Sequence, residues 1–215
     1  MTTDMNTTAP RFTVTLDALR KAGACYDGYN KLVRSLQGQP FTEEDEDRNS
    51  YIHFKHDAEI PLLDILKSNG LDDAIWTLRC VSGADRDLRL FAVWCARQVE
   101  HLMEDQRSKD ALNVAERFAN GDASDEELAA AWAAAWVAAG DAAGAAARAA
   151  AWAAAGAARE AAGDAAGDAA RDAAWDAAWA AAGDAAGDAA RGAQTEMFKR
   201  MCLGTAPWQQ GKVAA

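Results

Sequence analysis

Three histidines, at 53, 56 and 101, and four cysteines, at 25, 80, 95 and 202, are the residues of this chain best suited to metal binding or nucleophilic chemistry. His53 and His56 stand three apart, with Asp57 and Glu59 beside them. That spacing puts both imidazoles on one face of a helix and on opposite faces of a strand. No HExxH and no Cys/His ligand spacing completes a zinc site, so they read as ordinary polar and core-edge histidines. The cysteines form no CxxC pair. Cys95 falls in an apolar helical pattern and reads as a small buried hydrophobe. Cys25 as a thiol catalyst would need a histidine partner that nothing local supplies. The repeated GDAAG units have glycines like those that cradle phosphate, but such grips need free backbone N–H groups, and these lie inside a helical pattern. GxSxG, GxGxxG and Walker motifs do not occur. The sequence therefore predicts a non-enzyme with no catalytic residues, no cofactor and no metal.

What remains to be positioned is dominated by one stretch. From Trp132 to Arg191 a marker residue recurs every four positions: Trp132, Trp136, Gly140, Gly144, Arg148, Trp152, Gly156, then, after one three-residue step, Arg159, Gly163, Gly167, Arg171, Trp175, Trp179, Gly183, Gly187 and Arg191. Most other positions are Ala, the best helix former, and Pro is absent, so helix is the favoured structure. A marker every four residues advances about 40° around a helix, so a straight helix cannot keep them on one face. Either one helix of roughly 100 Å carries a winding stripe, or two or three helices pack together. Trp136–Arg148 and Trp179–Arg191 are near copies, 43 residues apart, which makes the stretch a duplicated packing cassette. Helical Gly costs about 1 kcal/mol relative to Ala, and something should offset it. The pairs Gly140/Gly144, Gly163/Gly167 and Gly183/Gly187 have the small-xxx-small spacing that lets backbones approach. Trp132, Trp136, Trp152, Trp175 and Trp179 would supply the apolar area that Ala lacks. Asp168–Arg171 and Asp188–Arg191 can close i,i+3 ion pairs. Asp164, Asp168, Asp172 and Asp176 form an acidic ridge at i,i+4 spacing, read as a solvated face or as a site for a basic partner.

The preceding residues read as short amphipathic helices. Thr15 caps one that ends near Gly23, Tyr26–Leu36 forms the next, and Pro61 opens a third that runs to Gly70. Leu71–Val81 continues the series, and Tyr51–His56 allows a strand or an irregular crossing. Leu88, Phe91, Ala92, Cys95, Val99 and Leu102 give Asp85–Met103 the clearest core-facing stripe. Lys109–Ala119 follows, and Ser124 with Glu127 has the spacing of a capping box. A charged cluster from Asp85 to Asp110 either pins the alanine region or faces a partner. The boundaries are a flexible tail over 1–11, a helical bundle over 12–121, the alanine-rich array over 122–200 and a C-terminal tail over 201–215. Met197, Phe198, Met201 and Leu203 read as a short amphipathic ending that docks on a core, and Trp208 as isolated in loose structure between Pro207 and Gly211.

The formal charge of -11 argues against direct nucleic-acid binding, which needs clustered Lys and Arg. Residues 1–127 carry 24 acidic against 15 basic side chains, with Glu43, Glu44, Asp45, Glu46 and Asp47 in one run. Charged residues recur too often in the array for a membrane span. With no secretory signal and no cysteine framework, the expected setting is cytoplasmic.

Three stretches, LRLFAVWCARQVEHL (Leu88–Leu102), RSKDALNVAERFANGDASDEELAAA (Arg107–Ala131) and the Ala/Trp/Arg/Gly array, resemble a family of immunity proteins of bacterial polymorphic-toxin systems, also found in phage genomes. VTLDALRKAGAC (Val14–Cys25) looks like a region that precedes such domains. The resemblance covers about half the chain and implies an all-helical inhibitor that neutralises another protein by binding it. It also implies that Glu104, Asp105 and Arg107 occupy the charged linker between two helices. The expected fold is all-α: a small bundle followed by an alanine-rich array packed as a hairpin or helical layer. The expected partner is a protein, a toxin or a host defence effector, with Trp76, Arg97 and Trp208 as possible anchors and the acidic residues steering encounter. Alternatives are an acidic nucleic-acid mimic that blocks a defence nuclease, and a structural protein that forms homo-oligomers.

Overall fold

Local capping chemistry starts several of the helices in the computed structural model, which describes residues 11–142, 145–157, 173, 176 and 184–210. Thr15 accepts the Ala18 N–H to open α1 (Leu16–Lys21), and Cys25 accepts from Gly28 at the start of α2 (Tyr26–Leu36). Thr42 and Asp45 form a capping box around α3 (Glu43–Glu46), so part of the acidic run is a helical turn. Residues 48–59 cross the molecule irregularly. Buried Asn30 holds that crossing, donating to the Ser50 carbonyl (3.0 Å) and accepting from the Ile52 N–H (2.7 Å).

Two short strands, β1 (Thr13–Val14) and β2 (Ile60–Pro61), pair antiparallel with Val14 opposite Ile60. Pro61 ends β2 and stands just ahead of α4 (Leu62–Asn69) rather than in its first turn. After α5 (Leu71–Trp76) the chain tightens into a 3-10 turn over Thr77–Cys80.

Next comes α6 (Asp85–Arg97), buried nearly all round from Asp87 to Val93, as a central helix must be. It stops short of the expected Met103. A 3-10 turn at Glu100–Leu102 winds more tightly and turns Val99 and Met103 both into the core. Helix α7 (Gln106–Ala119) is capped by Asp105, and α8 (Asp125–Asp141) opens on the capping box of Ser124 and Glu127. Ala142 turns to extended backbone, and α9 (Ala145–Ala157) follows as a separate helix packed on α8. The first half of the array is thus not one rod.

Both α8 and α9 lie against α7, and α9 also meets α6. The last helix, α10 (Asp184–Cys202), packs on α6 and α4. One buried cluster runs from Phe12 to Ala206, joining residues of the bundle with Ala135, Ala150, Ala153, Phe198 and Met201 of the array and its end. Met197, Phe198 and Met201 are buried, in keeping with a docked amphipathic ending, and burial continues through Cys202 to Ala206. Trp208 is not isolated: its indole N–H donates to Asp87 at 3.0 Å and its carbonyl accepts from Arg86. The molecule is predominantly α-helical.

Candidate partner-binding face

The first array helix turns a different face inward from the one its markers suggest. Leu128, Ala135, Ala138 and Ala139 are the buried residues of α8, and in α9 they are Ala149, Ala150, Ala153, Ala154 and Ala157. Small side chains let helix axes approach closely, so alanine makes the seam. The large residues are left along its outer edge. Trp132 is 38% exposed, Trp136 52% and Val137 50%. The rings form a ladder: Trp132 lies 5.8 Å from Trp136, which meets partly buried Trp152 of α9 edge-on at 4.2 Å. Trp136 and Trp152 thus meet between α8 and α9, while Trp132 and half of Trp136 face outward. Gly140 is also exposed, and a Cβ there would meet nothing within 4 Å among the described residues.

Charge frames this ladder. Asp125, Glu126 and Glu127 are exposed in the first turn of α8, where the positive end of the helix dipole favours them. At the other end Arg107 bonds both Asp105 (2.6 Å) and Asp141 (2.9 Å), tying the start of α7 to the close of α8. Hydrogen bonds from Arg107 hold the Asp105 carboxyl below its ordinary range. Asp105 and Arg107, expected to meet a partner, are therefore engaged with each other, and Glu104 beside them is exposed.

Other expected contact residues divide the same way. Glu43, Glu44, Glu46 and Asp47 are exposed. Asp45 is not available: it is buried, 1% exposed, and accepts two hydrogen bonds from Arg34 at 2.7 and 2.9 Å. Arg97 reaches Glu100 at 3.1 Å, Glu116 at 2.6 Å and Asn113 at 3.1 Å, which fastens the end of α6 to α7. Trp76 is partly buried, with the Arg79 guanidinium 4.6 Å from its ring centre. Arg191 pairs with Asp72 rather than with Asp188. Asp176 occupies a partly buried helical position, while Gly187 lies in α10. Gly144, Gly163, Gly167, Gly183, Trp175, Trp179, Asp164, Asp168 and Asp172 lie outside the described residues.

The histidines and cysteines lie apart from this face, none of them in α8 or α9. Exposed His53 and partly buried His56 sit in the irregular crossing, His56 stacked on Phe54 at 5.6 Å. Glu59 accepts from the Thr13 hydroxyl at 2.7 Å. Among the described residues no group of three or more His, Cys, Asp or Glu is placed to hold a metal ion. Burial pushes the Cys95 thiol well up and Cys202 up to about 12, which keeps both protonated and unreactive. No described helix is long and apolar enough to cross a membrane.

Fold and face together describe a helical protein whose repeat carries an aromatic ladder on its outside. No family model, curated protein or solved structure matches the chain.

Proposed function

We infer that this chain is a non-catalytic inhibitor that works in the cytoplasm by binding another protein through the outer face of α8. The outward position of Trp132, Trp136 and Val137 carries this reading. Exposed tryptophans with large apolar area are the residues that most often anchor protein interfaces, and charged residues at the edge exclude wrong partners. Exposed acids at the start of α8 and at Glu43, Glu44, Glu46 and Asp47 suit a basic partner. The resemblance to immunity proteins read from the residues of Leu88–Leu102 and Arg107–Ala131 points to the same class, a toxin or a defence effector being the target.

The test is quantitative capture from host lysate by the native chain and by a Trp132→Ala/Trp136→Ala variant with unchanged helical content. A partner whose activity the native chain suppresses, and whose capture falls at least tenfold in the variant, is the expected result. Equal capture and equal suppression by the variant would overturn the assignment. Sedimentation velocity supplies the other decisive outcome. A native dimer that becomes monomeric in the variant would assign the face to a second copy of the chain instead.

A further inference from the structure

Far from these tryptophans in sequence, α1, α2, α4 and α5 line a cavity of about 170 Å³ that opens to the surface. Its wall is largely apolar, with Leu19, Leu32, Ile65 and Trp76 contributing. An apolar space of this size admits one benzene-like ring. The exception in the wall is Asp73. Its Oδ2 accepts from the Asn69 side-chain amide at 2.8 Å, and the same amide donates to the Gly28 carbonyl at 2.7 Å. The Asn69 oxygen in turn accepts from the Ser68 hydroxyl at 2.6 Å, so the amide is fixed in orientation and fixes the carboxylate.

Gly28 shows how tightly this group is placed. A Cβ there would lie 2.8 Å from Asp73 Oδ2, so the carboxylate occupies the room that any other residue in α2 would need. Asp73 makes no ion pair among the described residues. Tyr29, another wall residue, has the Arg20 guanidinium near its ring, 5.9 Å from the centre. Although the Arg79 guanidinium covers one side of the Trp76 ring, the Asp73 carboxylate itself pairs with no cation among the described residues, and in a chain of charge -11 it favours a positively charged ligand with an apolar body.

We propose that this cavity is a binding site for a small organic ammonium ion, an amine bearing one ring or a short alkyl chain, with Asp73 holding the ammonium and Leu19, Leu32, Ile65 and Trp76 holding the body. This site is independent of the α8 face, and either can fail without the other. Neutral ligands of the same shape lose the ion pair, and anionic ones are repelled.

Isothermal titration of the full chain at neutral pH with phenethylamine, 2-phenylethanol and phenylacetate tests the assignment. Phenethylamine should bind at one site, the neutral alcohol about fivefold to tenfold more weakly, and phenylacetate undetectably. The near-isosteric Asp73→Asn variant should lower amine affinity by a similar factor, and Ala24→Leu, which fills the cavity from its rim, should abolish binding. Should either variant fail to fold, amide resonances of the native chain decide. Shifts at Gly28 and at the Asn69 side chain on adding phenethylamine support the site. No saturable amine binding, equal affinity for amine and alcohol, or shifts confined to other regions would overturn it.

Discussion

Arg34 and Asp45 make the clearest case of one residue's fate decided by its neighbours. The Arg34 guanidinium, with help from Thr42, holds the Asp45 carboxyl at about 2, against an ordinary value of 3.8. A depressed carboxylate stabilises the fold above its unfolded value and stops doing so as pH falls through the folded one. The native chain should therefore lose this contribution between about pH 4 and pH 2. Asp45→Asn should be less stable than native at pH 7 and should lack that part of the acid dependence; urea unfolding at a series of pH values checks both. Within the run Glu43–Asp47, composition alone cannot single out Asp45. The spacing Thr42-x-x-Asp45 was a readable capping signature, but Arg34 is eleven residues away, and only the turn after α2 brings it back. Asp73 was hidden for a similar reason: its meaning depends on Gly28, a glycine that simply weakens α2 when read in isolation.

At the scale of elements, helices α1, α2 and α4 and the caps at Thr15 and Ser124 were legible because each rests on residues within one or two turns. The alanine seam was not. Periodicity tells which residues share a face, but not which face turns inward, and bulky side chains are the usual choice on grounds of buried area. In α8 and α9 the choice reverses, because two alanine faces can close more tightly than tryptophans allow. Two substitutions separate these possibilities. Ala153→Leu should destabilise the fold by about 1–3 kcal/mol through overpacking at the fully buried seam. Ser124→Ala should cost about 1 kcal/mol by removing one half of the capping box. Chemical denaturation followed by circular dichroism measures both. A neutral Ala153→Leu would show that the seam has slack.

For the whole molecule, the single buried cluster from Phe12 to Ala206 implies one cooperative unit rather than a bundle with an appended array. Circular dichroism and tryptophan fluorescence should report coincident unfolding transitions. Trp208→Phe should lower stability by about 1 kcal/mol, measured in the same way, because it removes the indole donor from the largely buried Asp87. Neither partner of that bond announces the other in sequence, being 121 positions apart. The Arg11 N–H reaches the Cys202 carbonyl at 2.9 Å, and the Arg11 side chain crowds Gly204, whose φ of +72° already suits glycine. This seam between distant ends spans almost the entire described chain, and bringing such remote segments together costs more entropy than any local contact. It should consequently form last during folding, so that Arg11 and Trp208 act as a latch, shutting only over helices that have already found their places.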